Sequence, residues 1–261
     1  MRRRNQPVCS APRAWALGLG LLVAAHAMPA ARASGLDDLR TALGGLRGTA
    51  PVKVTLTAQV ATTSKDDDDK VRNASGTATL SAEDGPQGLR LVYPREIIVK
   101  ATAEGAGRQT DSTAPIPTRN ALNELDYAKV HSMVHAAETL LVRLEGAKLK
   151  AERSEAWNGK PARLLSLELT VPKNQQFVDK QSATLDVWID EAGRPLASRA
   201  EATTKGSAYI VVTFEAKNSE NRIYSIAGDR LLVTRRDSSG SGSGAGQRGE
   251  TKATVTLQAG S

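Results

Sequence analysis

The sequence predicts a mainly β fold of the α+β class, in which antiparallel strands pack against a short N-terminal helix and a long central helix. Apolar and polar residues alternate over residues 52–60 and 183–190, which gives each strand one apolar and one solvated face. The periodicity changes to a helical one over residues 118–145. The apolar strand faces must be buried, and they can be covered by the helices, by the sheet itself or by a lipophilic ligand.

The N-terminal segment has the features of a secretory signal peptide in the required order. Three arginines at positions 2–4 precede an apolar run at residues 14–27. That run is shorter than the ~20 apolar residues that a membrane-spanning helix needs. Small residues then allow cleavage after Ala33 or after Ala27. We therefore expect a protein that is periplasmic in a bacterial envelope, or secreted, with no stable membrane insertion of the mature chain.

Composition limits the partners of the mature chain, residues 34–261. Residues 1–33 contain five arginines and no acidic residue, so their removal leaves 30 Lys and Arg against 28 Asp and Glu, a formal net charge of +2 instead of +7. Only 3 % of the whole chain is aromatic, whereas nucleic-acid surfaces combine clustered basic residues with aromatic platforms. We expect a single β-rich domain without disulfides, since no cysteine remains, and no nucleic-acid partner.

The N-terminal half is predicted to contain one short helix and four strands. The helix is expected at residues 35–48, and the predicted strands are 51–63, 71–83, 88–93 and 96–102. Four consecutive aspartates at residues 66–69 join the first two strands. They lack the alternate-position ligands and the turn glycine of a calcium loop, so we interpret them as a solvated hairpin tip.

Two histidines on the predicted central helix form a candidate zinc site. His131 and His135 are four residues apart, and Glu124 and Glu138 lie near the same stripe of the helix. That stripe lies opposite the leucine face, and the glutamate of a His-Glu-x-x-His motif is absent. We expect both histidines to be exposed to solvent and no metal to bind there.

The C-terminal half is predicted to be a meander of antiparallel strands, with a strong Asn-Gly hairpin signal at residues 158–159. The predicted strands are 147–156, 161–171, 182–190, 195–204, 208–217, 222–236 and 250–259. Gly244, Gly246 and Gly249 fit the Gly-x-Gly-x-x-Gly spacing of a dinucleotide loop. Because a strand rather than a helix follows, and the composition is that of a linker, we predict a flexible loop at residues 238–249 and no cofactor.

Two sequence motifs resemble those of the LolA-like periplasmic lipoprotein carriers. They are WNGKPARL at residues 157–164 and DVWIDEAGRPL at residues 186–196, and they are similar to the W-x-G-x…L and W-I-D…G-x-P strand pair of that superfamily. The resemblance covers most of residues 36–236. It implies a half-barrel, in which a curved antiparallel sheet has its concave face covered by the N-terminal helix and the long central helix.

The resemblance also implies a function. We expect a non-catalytic carrier that binds lipid acyl chains or a lipoprotein on the concave face, and an envelope protein is a second candidate partner. The predicted apolar groove is lined by side chains of the strands and the central helix, namely Val54, Leu56, Leu80, Leu91, Leu165, Leu167, Leu169, Leu185, Val187, Ile189, Met133 and Leu140.

Two other functions stay open. A groove that is permanently filled by the central helix would make the protein a structural or regulatory protein-interaction module. A hydrolase is the enzymatic alternative, although the chain has no Gly-x-Ser-x-Gly elbow and the mature chain has no cysteine nucleophile.

Overall fold

The computed structural model describes residues 34–65, 70–171, 177–208, 212–244 and 246–260. Within these ranges there are five helices: α1 (Gly35–Gly44), α2 (Arg95–Thr110), α3 (Pro117–Asn123), α4 (Tyr127–Val134) and α5 (Ala136–Arg143). The same ranges contain ten strands: β1 (Val52–Lys65), β2 (Val71–Gly85), β3 (Gly88–Val92), β4 (Lys148–Ser154), β5 (Arg163–Glu168), β6 (Val178–Ile189), β7 (Pro195–Ala208), β8 (Val212–Ala227), β9 (Arg230–Gly244) and β10 (Gln247–Ala259). The predicted signal peptide and the aspartate run lie outside the described residues.

All ten strands form one antiparallel sheet, in the order β3-β2-β1-β10-β9-β8-β7-β6-β5-β4. Strand β1 pairs with β10, so the first and last strands lie side by side in the sheet. Strands β3 and β4 are its two edges and, within the described residues, do not pair with each other, so the sheet is open. The Asn-Gly hairpin is confirmed, because Asn158 and Gly159 have the positive φ angles that such a turn requires.

An ion pair between β2 and β9 shows the curvature of the sheet. Arg230 Nη1 lies 2.8 Å from Asp84 Oδ2, although two strands lie between β2 and β9. In a flat sheet, strands three positions apart are separated by about 14 Å. His135, which separates α4 from α5, also contacts Asp84. The sheet therefore curves around the helices, and the predicted mainly β fold with helices on the concave face is confirmed.

Helix α1 has a capped N-terminus and one apolar face. The N–H of Asp37 donates to Ser34 Oγ at 3.3 Å, and two aspartates in the first turn match the positive end of the helix dipole. Leu36, Leu39 and Leu43 recur at helical spacing and are buried in the core. The predicted N-terminal helix is confirmed.

The predicted central helix is divided into three helices, α3 to α5. Asp126 begins α4, because its side chain accepts a hydrogen bond from the N–H of Lys129 at 2.8 Å, as an N-cap does. His135 has φ −107° and ψ 53°, outside the helical range, and separates α4 from α5. The helical nature of the segment is confirmed, whereas its continuity as one long helix is wrong.

Residues 96–102, which were predicted as a strand, belong to helix α2. A short run of β-branched residues such as residues 97–99 does not by itself distinguish a strand from a helix. Pro94 occupies the N-cap position, and the alanines and Glu104 after the run favour a helix. None of the residues in α2 is buried.

The predicted flexible loop at residues 238–249 is also wrong for most of its length. Residues up to Gly244 belong to β9 and pair with β8 on one side and with β10 on the other. Gly240, for example, lies opposite Asn218 in β8 and Thr251 in β10. Glycine has a low strand propensity, but pairing on both sides overrides it.

The hydrophobic core lies between the concave face of the sheet and helices α1, α3, α4 and α5. Its helical members include Leu39, Val130 and Met133, all fully buried. The sheet contributes alternate residues of β1, β2, β5, β6 and β10, the three consecutive residues 231–233 of β9, and Tyr224 of β8. Among the described residues, no helix combines the length and the hydropathy that a membrane span requires.

Candidate functional site

The predicted groove residues lie in this core. Leu91 and Leu169 are partly buried and pack against it. The other ten of the twelve are at most 2 % exposed, namely Val54, Leu56, Leu80, Leu165, Leu167, Leu185, Val187, Ile189, Met133 and Leu140. The helices therefore fill the part of the concave face that these residues line, and their role in ligand binding stays a prediction.

Beside α4 and α5, the sheet forms an open cavity of about 1000 Å³, which we call the cleft. Residues of α4, of α5 and of the segment before α4 form its wall. Its floor is built mainly from small residues of β6, β7, β9 and β10, namely Ala183, Ala200, Ala202, Ser238, Gly240, Gly242, Gly249 and Thr251. The cleft is thus unfilled because the strands that form its floor carry few large side chains there.

Alternation along β9 places its glycines on the concave side. Arg236 points to the helical side, since its Nη2 donates to Glu124 Oε2 at 2.5 Å. Ser238, Gly240 and Gly242 follow at intervals of two residues, and the pairing of β9 with β8 and β10 has no register shift in this part. Because side chains two residues apart share a face, these residues line the cleft.

Gly242 leaves room that a side chain could occupy. A Cβ atom added there would meet one neighbouring atom within 4 Å, Glu215 O at 4.0 Å. At Gly76 of β2 the situation is the reverse, because a Cβ atom would lie 1.9 Å from Pro117 O at the start of α3. Gly76 therefore permits the helix to approach the sheet, whereas Gly242 keeps the cleft open.

The wall of the cleft contains a carboxylate between two guanidinium groups. Glu220 Oε1 accepts hydrogen bonds from Arg222 Nε at 2.9 Å and from Arg143 Nη2 at 3.0 Å. Burial acts to raise the pKa of Glu220, but the charges of Arg222 and Arg143 outweigh it and lower the pKa to about 2. Arg222 also donates to the side chain and carbonyl of Ser132 in α4. This cluster joins β8 to α4 and α5.

A second ion-pair cluster lies between β9 and the segment before α4. Arg236 is 3 % exposed and pairs with Glu124, which also accepts from Lys129 Nζ at 3.1 Å. Burial lowers the pKa of Arg236, while the charge of Glu124 opposes that shift. Within the described residues, Arg236 Nε has no hydrogen-bond partner. We call the part of the cleft beside Glu124, α4 and α5 its helical end. This end therefore contains a buried arginine, Arg236, with one N–H donor that is unpaired in the described part of the chain.

The two histidines differ from their prediction in one respect. Both were predicted to be exposed, which is wrong: His131 is partly buried, and the His135 side chain is only 17 % exposed, with its Nε2 3.1 Å from Asp84 Oδ1. The rings of His131 and His135 stack with centroids 4.4 Å apart, and burial followed by the charge of His135 lowers the pKa of His131. In the part of the chain that the structure describes, no group of three or more His, Cys, Asp or Glu side chains has a metal-binding arrangement. His135 links the helices to the sheet.

The floor of the cleft is the feature that sequence reasoning missed. Its glycine-rich part has the composition of a linker and was interpreted as one. A signal was present nonetheless, because serine and glycine alternate strictly over residues 239–244. A period of two is that of a strand with two different faces.

Comparison with known proteins finds a likeness among solved structures. No protein-family model matches the chain, and neither does any curated protein. Among solved structures, a LolA superfamily protein from Nitrosomonas europaea is similar, with 11 % sequence identity over 87 % of this chain and 94 % of that chain and a TM-score of 0.23.

Proposed function

We propose that the protein is an exported, non-catalytic lipid- or lipoprotein-binding protein that takes an acyl chain into the cleft. The observation that carries this proposal is the cleft itself, an open space of about 1000 Å³ beside a filled core. Ligand pockets commonly have volumes of about 300–1000 Å³. Burial of a methylene group contributes ~0.8 kcal/mol, so a chain lying along the floor gains affinity with length.

Two features of the cleft support binding without catalysis. The floor offers alanine and glycine surfaces against which an alkyl chain can lie. Two carboxylates of the wall, Glu124 and Glu220, are held in ion pairs with arginines, and a third, Asp126, pairs with Lys129. A general acid or base needs a pKa near the working pH, whereas the arginines hold the pKa of Glu220 at about 2.

A side chain placed on the floor tests this proposal. Gly242→Leu adds four carbon atoms where the backbone has free space, so the fold is retained while the cleft is blocked. Ser243→Leu is the matched control, because Ser243 is the next residue of β9 and faces the opposite side of the sheet. Titration of the delipidated proteins with a fluorescent fatty-acid probe measures the affinity, and thermal melting followed by circular dichroism monitors the fold.

We expect the parent protein and Ser243→Leu to bind the probe with equal affinity. Gly242→Leu should weaken binding by about tenfold or more, a loss of at least ~1.4 kcal/mol. The proposal is wrong if the delipidated parent protein has no affinity for the probe, or if Gly242→Leu binds as tightly as the parent.

One observation favours a second function, that of a protein-interaction module. The helices fill most of the predicted groove, since ten of its twelve residues are at most 2 % exposed, whereas Leu169 lines the open cleft. In such a module the open cleft would bind no lipid. The same titration separates the two functions, because the interaction module predicts no probe binding in any of the three proteins.

A further inference from the structure

The helical end of the cleft has an excess of positive charge. Among the described residues that line the cleft on its concave side, four are basic, namely Lys129, Arg143, Arg222 and Arg236. Three are acidic, namely Glu124, Asp126 and Glu220. A fourth acidic residue at the edge of the cavity, Glu201, is exposed and alternates with Ala200 and Ala202, so it faces the opposite side of β7. The three acidic groups on the concave side are all engaged, since Glu124 and Asp126 pair with Lys129 and Glu220 pairs with two arginines.

The arginines at this end have more N–H donors than the carboxylates and carbonyl groups of the wall can accept. A guanidinium group has five N–H donors and no acceptor. Arg236 Nε is buried and, within the described residues, has no partner. The Arg143 side chain remains 31 % exposed while it donates to Glu220. Arg143 therefore contacts the buried cluster and the open cleft at the same time.

We propose that the ligand of the cleft carries an anionic head group, a carboxylate or a phosphate, which lies at the helical end and is bound by Arg143. This inference rests on the proposed function and names the class of its ligand. Arginine donates two parallel hydrogen bonds to planar or tetrahedral oxyanions, which makes it the residue best suited to this contact. The acyl chain then extends from Arg143 over the small residues of the floor.

The inference favours free anionic lipids over acylated proteins. The acyl group of an acylated protein is joined to the polypeptide through a neutral ester or amide, which offers no oxyanion to Arg143. An anionic lipid places its acyl chain in the cleft and accepts hydrogen bonds from the partly exposed Arg143 in one binding event. The charged wall therefore selects ligands by their head group, while the apolar floor binds the acyl chain.

Three ligands of equal chain length test the inference in the full mature chain. Dodecanoate and dodecyl phosphate carry the two oxyanions, and methyl dodecanoate carries a neutral head group. Competition with a fluorescent fatty-acid probe gives the three affinities. We expect both anions to bind the parent protein about tenfold more tightly than the methyl ester, as one charge-assisted hydrogen bond to arginine would produce.

Variants of Arg143 test whether this residue causes the tighter binding of the anions. In Arg143→Gln the affinities of the anions and the ester should converge to within about twofold, while Arg143→Lys should restore part of the preference. Arg163→Gln is the matched control, because Arg163 is also partly exposed and ion-paired, with Asp38 and Glu152, but lies outside the cleft. It should keep the full preference.

The outcomes separate this inference from the proposed function. If the parent protein binds all three ligands equally, the inference is wrong and acyl binding stands. If it binds none of them, the proposed function itself fails. Should Arg143→Gln not fold, the salt dependence of the parent protein decides, because the affinity of the anions must fall with ionic strength while that of the ester must not. Equal salt dependence of all three contradicts the inference.

Discussion

Glu220 is the residue whose charge matters most to the wall of the cleft, because it lies between Arg222 and Arg143. Its pKa is about 2 in the folded protein, against an ordinary value of 4.5. A depressed carboxylate pKa adds stability that is complete above the unfolded pKa and is lost as the pH falls toward the folded pKa. The relevant range is therefore pH 4.5 down to pH 2.

Glu220→Gln should lower the free energy of unfolding by about 3 kcal/mol at pH 7, and by less than half of that at pH 3. Urea denaturation of both proteins at the two pH values measures the difference. Glu168→Gln is a control, because the Glu168 side chain is 52 % exposed and its pair with Lys150 lies at the surface, where ion pairs contribute little. An equal loss at pH 7 and pH 3 for Glu220→Gln contradicts the assigned pKa.

Residue-level predictions from the sequence succeeded for burial and failed for polar contacts. The apolar residues of the strands and helices were placed on buried faces by periodicity alone, as Leu56 and Leu185 show. The contact between His135 and Asp84 joins residues 51 positions apart in sequence. No local pattern encodes such a pair, because it depends on how the helices dock onto the curved sheet.

At the level of elements, Gly76 of β2 sets how closely α3 lies against the sheet. A Cβ atom at this position would lie 1.9 Å from Pro117 O, so Gly76→Ala must displace the start of α3. We expect it to reduce stability by about 1–3 kcal/mol, as overpacking of a core does. Thermal unfolding should show a melting temperature lower by ~2–4 °C per kcal/mol.

Gly242→Ala is the matched control for this substitution, since it lies in the same sheet but has open space around the added atom. It should leave the melting temperature unchanged or raise it slightly, because alanine restricts the unfolded chain. A similar decrease in melting temperature for both variants would show that the effect comes from replacing any strand glycine and not from the contact with α3.

The elements differ in how far local sequence determines them. Helix α1 was predictable, because Ser34 and the leucine spacing give both its start and its buried face. Helix α2 was predicted as a strand, since its β-branched run at residues 97–99 suits both structures. The C-terminal half of β9 has the composition of a loop, and its strand state comes from pairing with β8 and β10 and not from its own propensity.

For the whole molecule, the order of helix and strand signals along the chain was sufficient to predict the fold class. The pairing of β1 with β10 in the middle of the sheet was not predictable, because it joins residues about 200 positions apart and depends on the sheet as a whole. The open cleft was missed for the same reason. It exists only where the small residues of several strands lie side by side.

Export of the protein is predicted to remove the N-terminal segment, so the first residue of the mature chain tests it. Cleavage after Ala33 would leave Ser34, the N-cap of α1, as the first residue of the mature protein. N-terminal sequencing of the protein recovered from the periplasm or the medium should therefore begin at Ser34. A mature, membrane-bound form that retains Met1 contradicts this assignment.

Native mass spectrometry of the exported protein shows whether the cleft holds one acyl chain. The parent protein, recovered under gentle conditions without delipidation, should carry the added mass of one lipid. Gly242→Leu should lack that mass and Ser243→Leu should keep it. A parent protein that is free of any bound lipid, or lipid that is retained equally in all three proteins, would contradict the account.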